Sequence, residues 1–496
     1  MSSTRQDFVS GLSFPIDQFQ SNAMDAVDAG HSVLVAAPTG SGKTVVAEYA
    51  IECALAGGGK AFYTTPLKAL SNQKFGDLIA RHGADKVGLL TGDTVINGDA
   101  PVVVMTTEVL RNMIYAGSSG LDALRWVILD EVHYLQNPYR GAVWEEVIIH
   151  LPQSVNLVCL SATVSNAEDF ADWIGTVRGT TDAIIEERRP VELEHMYLVA
   201  ERDSERMHLL PTFVDGLPNR QAAALDNRIE KNTYPKPHQR RKLATPRRAE
   251  VAHVLADNAM LPAVYFIFSR KGCDEAVRQC MYNGLRLTTS EEREQTRAIA
   301  ESHVRGLSDA DLAALGYETW LSGLEMGVAA HHAGLVPPMK EAVEELFAAT
   351  LVKLVFATET LSLGINMPAR TVVIEKLTKF TGDHHEMLTA GEYTQFTGRA
   401  GRRGLDDVGY AVVLWSPFVP FDQVAALASR RTYALRSSFR PTYNMAANLI
   451  RRYAPDEARH LLNLSFAQYR ADRVIVQHEA AIERLVGDIA KARAQA

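Results

Sequence analysis

The sequence predicts an α/β fold in which two domains, each built on a parallel β-sheet, follow one another along the chain. Short apolar strands alternate with helical patterns up to about residue 184, and the same alternation returns in the second half. A glycine-rich segment suited to phosphate binding follows the first strand, and we find no second copy of it. This alternation is typical of parallel sheets that are covered by helices on both faces.

The strand predictions rest on short apolar runs. In the first domain the runs are Ser32–Ala36, Ala61–Thr65, Val102–Met105, Val127–Leu129 and Val155–Leu160. In the second domain they are Val264–Phe268, Leu354–Ala357, Val372–Ile374 and Ala411–Leu414. A chain of 496 residues is too long for one hydrophobic core, so several domains are expected.

The composition, with 47% hydrophobic and 22% charged residues, is that of an ordinary globular protein. The net charge is −8, so we expect any contact with nucleic acid to use a local groove and not a basic surface overall. The four cysteines form no C-x-x-C pair, which favours buried thiols in a reducing compartment. Because the sequence shows neither the apolar segment of a signal peptide nor a run long enough to span a membrane, we expect a cytoplasmic location.

The segment between the first strand and the next helix is suited to hold a nucleoside triphosphate. It reads Ala37, Pro38, Thr39, Gly40, Ser41, Gly42, Lys43 and Thr44. Backbone N–H groups of such a turn and the N-terminus of the following helix attract phosphates. Lys43 would reach the β- and γ-phosphates, and the Thr44 hydroxyl would bind Mg²⁺. We therefore predict ATP and Mg²⁺ as cofactors, with Ala37 replacing the usual first glycine.

An acidic pair follows a second buried strand. Asp130 and Glu131 come directly after Trp126–Leu129, and ligands of open α/β sheets bind at this end of the strands. Asp130 would hold Mg²⁺, and Glu131 would orient and deprotonate the attacking water. The alternative is a helix N-terminus that merely prefers negative charge.

An arginine-rich segment, Gln395 to Gly404, lies in the second domain. On a helix, Gln395, Arg399 and Arg402 would fall on one face. Arginine suits the γ-phosphate because the planar, forked guanidinium matches the phosphate oxygens. An arginine placed there raises the rate of phosphoryl transfer by a factor of about 10³–10⁵. We assign these three residues a catalytic role, the alternative being the start of a solvated basic helix.

Two further segments stand out by charge and periodicity. Residues Arg228 to Arg248 hold eight basic side chains against one acid, which fits either a solvated spacer or an auxiliary phosphate-binding arm. Near the end of the chain, apolar residues from Ile475 to Ala492 recur at three- and four-residue spacings and predict an amphipathic helix that needs a partner.

Taken in order along the chain, these motifs resemble those of superfamily 2 DExH-box helicases of the superkiller type. The resemblance adds the segments Phe14–Gln20, Thr65–Lys74, Thr106–Arg111, Ser161–Thr163, Phe268–Lys271, His331–Leu335 and Phe356–Pro368. It implies two RecA-like domains, a small winged-helix domain and the start of a helical stalk. We place them at residues 1–184, 185–420 with a basic insertion at about 202–248, 421–470 and 471–496. A full member continues with an arch and a helical bundle, which we expect this chain to lack.

The resemblance also implies roles for single residues. Gln20 would contact adenine, Gly364 would contact ATP, and His133, Ser161 and Thr163 would couple hydrolysis to domain movement. The residues implied in binding nucleic acid are Thr65, Pro66, Lys68, Thr107, Arg270 and Thr358. Contacts of this kind grip the sugar-phosphate backbone without reading bases. A hairpin at Leu377 to Thr389, with Phe380 and His384, would separate the strands.

The expected activity is that of an ATP-dependent 3′-to-5′ RNA helicase which acts as a monomer on single-stranded RNA. A DNA-repair helicase of the same superfamily is the first alternative, because backbone contacts do not separate RNA from DNA unless a 2′-OH is read. The second alternative is a nucleic-acid-stimulated ATPase that serves as a scaffold for an RNA-degrading partner.

Overall fold

In the computed structural model the chain forms two compact units. Unit 1 comprises Met1–Arg188 together with Tyr433–Ala496, and unit 2 comprises Arg189–Thr432. The structure describes residues 3–202, 206–227, 243–362, 367–380, 383–430, 432–473, 477–478, 481–482 and 485. The centre of the predicted basic insertion and most of the predicted stalk therefore lie outside the described residues.

Unit 1 is built on an eight-stranded sheet with the order β4-β3-β5-β2-β6-β7-β1-β8. Seven strands are parallel, and only β4 runs antiparallel to its neighbour β3. The strands are β1 (Ser32–Ala36), β2 (Lys60–Thr65), β3 (Val87–Leu90), β4 (Val95–Ile96), β5 (Val102–Thr106), β6 (Leu124–Leu129), β7 (Asn156–Ser161) and β8 (Thr181–Ile185).

Helices cover both faces of this sheet, so its central strands are buried throughout. They are α1 (Ser3–Ser10), α2 (Gln18–Asp28), α3 (Thr44–Ala56), α4 (Lys68–His82), α5 (Thr107–Ala116), α6 (Ala142–His150) and α7 (Ala167–Arg178). Two short 3₁₀ helices span Ser119–Leu121 and Val132–Gln136. Two separate apolar clusters, one on each face of the sheet, form the core, as burial on both faces of a parallel sheet requires.

Unit 2 has a second sheet with the order β10-β9-β20-β17-β14-β16-β15. An additional short strand, β13, pairs with β9 outside this linear order. β10 and β13 are antiparallel to β9, and the other pairs are parallel. Two hairpins, β11–β12 and β18–β19, stand apart from the sheet. The strands are β9 (Glu192–Glu201), β10 (Met207–Pro211), β11 (Phe213–Val214), β12 (Leu217–Pro218), β13 (Leu243–Ala244), β14 (Ala263–Phe266), β15 (Val328–His331), β16 (Leu354–Ala357), β17 (Thr371–Ile374), β18 (Thr378–Phe380), β19 (His385–Met387) and β20 (Val408–Leu414).

The helices of unit 2 also flank both faces of their sheet. They are α8 (Arg220–Asn227), α9 (Arg248–Asp257), α10 (Arg270–Tyr282), α11 (Ser290–Val304), α12 (Asp309–Ala314), α13 (Tyr317–Glu325), α14 (Pro337–Ala348), α15 (Ala390–Thr397) and α16 (Phe421–Ala428), with a 3₁₀ helix at Glu359–Ser362. The predicted α/β class with two parallel-sheet domains is thereby confirmed. Helix α16, which the sequence analysis placed in the third domain, packs in the core of unit 2.

The segment after Thr432 returns to unit 1 and adds three helices to it. These are α17 (Tyr443–Arg452), α18 (Pro455–Asn463) and α19 (Phe466–Ala471). Phe466 packs against Phe170 and Trp173, and Trp173 Nε1 donates to the Leu464 carbonyl over 2.7 Å. In the described residues from 433 to 473 no strand accompanies the helices, and the winged-helix assignment stays a prediction. None of the helices in the described part of the chain is long and apolar enough to cross a membrane.

Candidate active site

Three motifs of unit 1 meet at one edge of its sheet. The phosphate loop follows β1, Ser161–Thr163 begins at the last residue of β7, and Asp130 follows β6. The order β6-β7-β1 makes these strands neighbours. All three strands are parallel, so their carboxyl ends lie side by side. The fold therefore brings together residues that lie far apart in the sequence, at the edge where α/β sheets bind ligands.

The phosphate loop has the backbone geometry that its glycines predict. Gly40 and Gly42 have φ angles of +79° and +88°, a region that residues with a side chain rarely enter. The Lys43 ammonium donates to the carbonyl oxygens of Ala37 and Pro38 over 2.7 and 3.2 Å. Ala37 is fully buried in the apolar cluster around β1, so the core accommodates its methyl group. Helix α3 begins at Thr44, which places its N-terminus at the loop.

Gln20 is attached to the phosphate loop. The side chain is buried, its Nε2 donates to the Gly42 carbonyl over 2.9 Å, and its Oε1 accepts from the Asp17 amide over 2.8 Å. Both ends of the amide are thus engaged within the protein. This arrangement makes Gln20 a support of the loop, and its contact with adenine stays a prediction.

Asp130 is buried and is held by a residue that the sequence analysis missed. The Tyr63 hydroxyl donates to Asp130 Oδ2 over 2.7 Å, and the Glu131 amide donates to Oδ1 over 2.9 Å. Burial raises the pKa of Asp130, the negative charge of Glu131 adds to the increase, and the charges of Lys74 and Lys43 oppose it. A positively charged ligand next to such a desolvated carboxylate would stabilise its ionised form. Only the pairing of β2 with β6 places Tyr63 here, since nothing local in the sequence connects the two residues.

Glu131 adopts an uncommon backbone conformation. Its φ and ψ of +51° and +43° are left-handed, and it precedes the 3₁₀ helix Val132–Gln136. A non-glycine residue in this region is strained by about 1–3 kcal/mol and is held there by its surroundings. The Tyr134 amide donates to the Glu131 carbonyl over 2.8 Å. The turn directs the chain away from β6 immediately after the acidic pair.

His133 joins the acidic motif to the Ser161–Thr163 turn. Its Nδ1 accepts a hydrogen bond of 3.2 Å from the Ala162 amide, so the ring is the tautomer with its proton on Nε2. Burial lowers the pKa of His133 to about 3, with the charge of Lys43 adding to the decrease, and the ring is neutral near pH 7. The Ala37 amide in turn donates to the Ser161 carbonyl over 3.2 Å. A chain of contacts therefore connects the acidic motif, the turn with Ser161 and Thr163, and the phosphate loop.

The arginine-rich segment of unit 2 differs from the prediction. Helix α15 ends at Thr397, so Gln395 lies on the helix while Arg399 and Arg402 lie beyond it, and the predicted common helical face is wrong. Gly401 has a φ of +86°, and a Cβ there would lie 2.6 Å from a methyl group of Val191. The Ala369 amide also pairs with the Arg399 carbonyl over 3.0 Å. The segment beyond the helix is therefore closely packed, and position 401 requires glycine.

The two arginines of this segment have different surroundings. Arg402 makes a two-pronged pair with Asp406, with distances of 2.8 Å from Nε to Oδ2 and 2.9 Å from Nη2 to Oδ1. The hydrogen bonds to Asp406 are the main reason why the pKa of Arg402 is raised, and the negative charge of Asp406 adds to the increase. Arg399 is buried. Arg189, which the sequence analysis missed, donates to the Ala400 carbonyl of the segment over 2.7 Å.

The predicted nucleic-acid residues of unit 1 are mostly buried. Thr65 and Thr107 have no exposed surface, and their hydroxyl groups bond to Ser71 Oγ over 2.7 Å and to the Thr65 carbonyl over 3.3 Å. Pro66 is also buried, whereas Lys68 is exposed and pairs with Asp93 over 2.6 Å. Of these residues, Lys68 is the side chain that the structure presents to solvent. The roles of the other three in binding stay predictions.

Arg140 is a further residue that sequence reasoning missed. Its Nε donates to Glu108 over 2.7 Å and its Nη2 donates to the Pro66 carbonyl over 2.8 Å. It therefore connects the segment around Thr65 with the segment around Thr107. No short motif signals this role, because the partners lie 32 and 74 residues away.

Three further predicted features belong to unit 2. Arg270 is exposed at the start of α10, and the Thr358 hydroxyl bonds to that of Thr360 over 3.0 Å. The predicted hairpin is present as β18 and β19, with Phe380 61% exposed and His384 exposed at its end. Gly364 lies outside the described residues.

Two parallel-sheet units, with a phosphate loop, an acidic pair and a connecting turn in the first, define the class of motor ATPases built on RecA-like domains. Residues 17–170 match the DEAD/DEAH box helicase family, and residues 273–404 match the helicase conserved C-terminal domain. The chain belongs to the superfamily 2 DExH-box helicases of the superkiller type.

Named relatives support the same grouping. The chain is 53% identical to the probable helicase HelY of Mycobacterium tuberculosis, over 97% of this chain and 55% of the relative. It is 40% identical to the DExH-box ATP-dependent RNA helicase DExH15 of Arabidopsis thaliana, over 90% of this chain and 41% of the relative. It is also 40% identical to the human Superkiller complex protein 2, over 95% of this chain and 39% of the relative. The chain thus spans about half or less of the length of these relatives.

Proposed function

We propose that this chain is the motor of an ATP-dependent RNA helicase that moves 3′ to 5′ along a single strand. The observation that carries the proposal is the contact chain of unit 1, in which His133 and Ser161 connect the acidic motif to the phosphate loop. Family membership implies use of ATP and binding of nucleic acid. Two relatives whose names include RNA helicase or superkiller complex favour RNA as the strand.

In the proposed reaction each group of unit 1 has a chemical task. Lys43 and the amides around Gly40 and Gly42 bind the phosphates, because they supply positive charge and N–H donors at the start of α3. Glu131 orients the attacking water and accepts its proton. Neutral His133 holds the acidic motif against the turn that carries Ala162. In unit 2, Gln395, Arg399 and Arg402 remain the proposed phosphate-binding groups.

The residues of unit 1 fit a magnesium ion. The Thr44 hydroxyl and the Asp130 carboxylate are oxygen donors of the kind that Mg²⁺ prefers, and both follow strands at the same edge of the sheet. Asp130 is buried and has a raised pKa, which is the state that a bound cation relieves. When bound with ATP, the ion would neutralise charge that develops on the phosphates.

The proposed grip on RNA is independent of base sequence. Exposed Lys68 in unit 1 and exposed Arg270 in unit 2 supply positive charge for the backbone. Contacts to phosphate and sugar position a strand but do not read it, and they weaken as salt rises. The β18–β19 hairpin, with exposed Phe380, is the proposed element that separates the strands.

Two other functions remain as alternatives, each with its own observation. The backbone grip would serve a DNA-repair helicase equally well, since no described residue is assigned to a 2′-OH. A scaffold for an RNA-degrading partner is favoured by the similarity to a relative named as a superkiller complex protein. In that case the chain would hydrolyse ATP on RNA without displacing a strand.

Strand displacement by the purified chain tests these functions against each other. The substrates are matched RNA and DNA duplexes with a single-stranded tail at either the 3′ or the 5′ end. We expect displacement of the 3′-tailed RNA duplex with ATP and none in the Lys43→Ala variant. Displacement of 5′-tailed substrates alone would contradict the proposed 3′-to-5′ direction. Preferential displacement of DNA would favour the DNA-repair helicase. ATP turnover without displacement of either strand type would favour the scaffold for an RNA-degrading partner.

A further inference from the structure

The segment that follows unit 2 contacts both the turn after β7 and the 3₁₀ helix that follows the acidic motif of unit 1. We name residues Tyr433 to Phe439 the strap. Its first residue forms a β-bridge with Val164, and the Ser165 amide donates to the Tyr433 carbonyl over 2.9 Å. Val164 comes directly after the Ser161–Thr163 turn. One end of the strap is therefore attached to the turn that contacts His133.

The middle of the strap is fixed to unit 1 by a reciprocal pair of hydrogen bonds. The Leu435 amide donates to Asn166 Oδ1 over 2.6 Å, and Asn166 Nδ2 donates to the Leu435 carbonyl over 3.0 Å. Leu435 is fully buried in the core cluster of unit 1, and Tyr433 and Phe439 pack against the same cluster. The strap is thus an ordered part of unit 1.

The far end of the strap holds the 3₁₀ helix that follows Glu131. The Ser438 hydroxyl donates to the Leu135 carbonyl over 2.6 Å. Gly141 allows this approach, because a Cβ there would collide with both the Leu135 carbonyl and the Ser438 hydroxyl. Burial raises the pKa of the Tyr433 hydroxyl, and the charge of Glu131 adds to the increase.

The strap contacts the surroundings of Glu131, whose backbone is left-handed. A strained residue persists only where its surroundings fix it. The Glu131 amide bonds to the Asp130 carboxylate, the Glu131 carbonyl accepts from the Tyr134 amide, and the neighbouring His133 accepts from the Ala162 amide. The strap adds an anchor at each end, one on the 3₁₀ helix and one on the turn. We propose that the strap positions Glu131 for water attack by holding the helix Val132–Gln136, with Ser438 as the positioning residue. This inference rests on the proposed function, in which Glu131 activates the water.

The neighbouring serine provides a matched control. Ser437 Oγ donates to the buried Glu145 of α6, not to the helix after Glu131. Ser437→Ala and Ser438→Ala each remove one hydroxyl from the same strap. Ser437 Oγ also accepts from the Phe439 amide over 3.0 Å, so its loss loosens the strap at least as much as the loss of the Ser438 hydroxyl. Ser438→Ala removes a hydrogen bond to the 3₁₀ helix that follows Glu131, whereas Ser437→Ala removes one to Glu145 of α6.

The test measures ATP turnover and amide hydrogen exchange of the full chain in both variants. In Ser438→Ala we expect kcat to fall about fivefold and exchange in Val132–Gln136 to rise about fivefold, the factor for one lost hydrogen bond, with KM for ATP unchanged. In Ser437→Ala we expect neither change. Equal effects in the two variants, or wild-type exchange of Val132–Gln136 in Ser438→Ala, would overturn the proposal.

The two readouts separate this inference from the proposed function. If the wild-type chain does not hydrolyse ATP, the proposed function fails. Hydrogen exchange still decides whether the strap holds the helix, because it needs no turnover. Raised exchange in Ser438→Ala with unchanged kcat would show that the strap supports the helix without positioning Glu131, and would overturn the catalytic part of the inference.

Discussion

Glu145 makes the stability of unit 1 depend on pH. It lies fully buried in α6, where it accepts hydrogen bonds from Ser437 Oγ and, over 2.8 Å, from the Phe466 amide. Burial raises the pKa of this carboxyl group from 4.5 to about 7, although both hydrogen bonds oppose the increase. The folded state therefore binds the proton more tightly than the unfolded state does.

The sign and size of the effect follow from linkage. Since the folded protein holds the proton between the two pKa values, the free energy of unfolding falls as pH rises from about 4.5 to about 7 and then levels off. Each pKa unit corresponds to about 1.4 kcal/mol, so the change between about pH 5 and about pH 8 is roughly 2.5 kcal/mol.

Urea unfolding followed by tryptophan fluorescence measures this change, because Trp144 and Trp173 lie in the core of unit 1. Glu145→Gln removes the titration but keeps an acceptor for Ser437, so the variant reports the pH response of all other groups. We expect the stability of the wild type relative to the variant to fall by about 2.5 kcal/mol over this pH range. Parallel pH profiles for the two proteins would show that Glu145 does not bind a proton more tightly in the folded state.

Three predictions concern the proposed catalytic groups. Lys43→Ala should abolish ATP turnover in a steady-state assay, and a normal rate would remove the phosphate-loop assignment. Glu131→Gln should bind a fluorescent ATP analogue like the wild type yet hydrolyse ATP at least about a hundredfold more slowly, because the general base is gone. Loss of binding instead would make Glu131 structural. Tyr63→Phe leaves one oxygen of buried Asp130 without its donor, so kcat should fall about tenfold while analogue binding is retained. Wild-type turnover would show that Tyr63 does not position Asp130.

Local sequence patterns predicted most of the buried parallel strands but missed β3 and β15, which are also buried. β1 and β16 have the predicted bounds, because both are continuous apolar runs buried on both faces. β9 was missed, since its first half carries Glu192, Glu194 and His195 and is only partly buried. Pairing with β20 and β10 at the edge region of the sheet, not local propensity, makes this segment a strand.

The candidate site was predictable as motifs but not as contacts. The residues of the phosphate loop and the acidic pair could be found because each motif is contiguous in sequence. The contact of Tyr63 with Asp130 depends on the register of β2 against β6. The hydrogen bonds between Leu435 and Asn166 join residues that are 269 positions apart in the sequence. Helix α15 ends at Thr397, and the close approach of Gly401 to Val191 beyond it joins residues that the sequence pattern alone could not connect.

ATP hydrolysis by the purified chain decides whether this protein is an RNA-stimulated motor. The rate is measured without nucleic acid, with single-stranded RNA and with single-stranded DNA of equal length, at a fixed salt concentration because backbone contacts are salt-sensitive. We expect RNA to stimulate turnover more than DNA does and Lys43→Ala to abolish both stimulated rates. Equal or greater stimulation by DNA would contradict an RNA motor, and no hydrolysis under any condition would contradict the assignment of the active site itself.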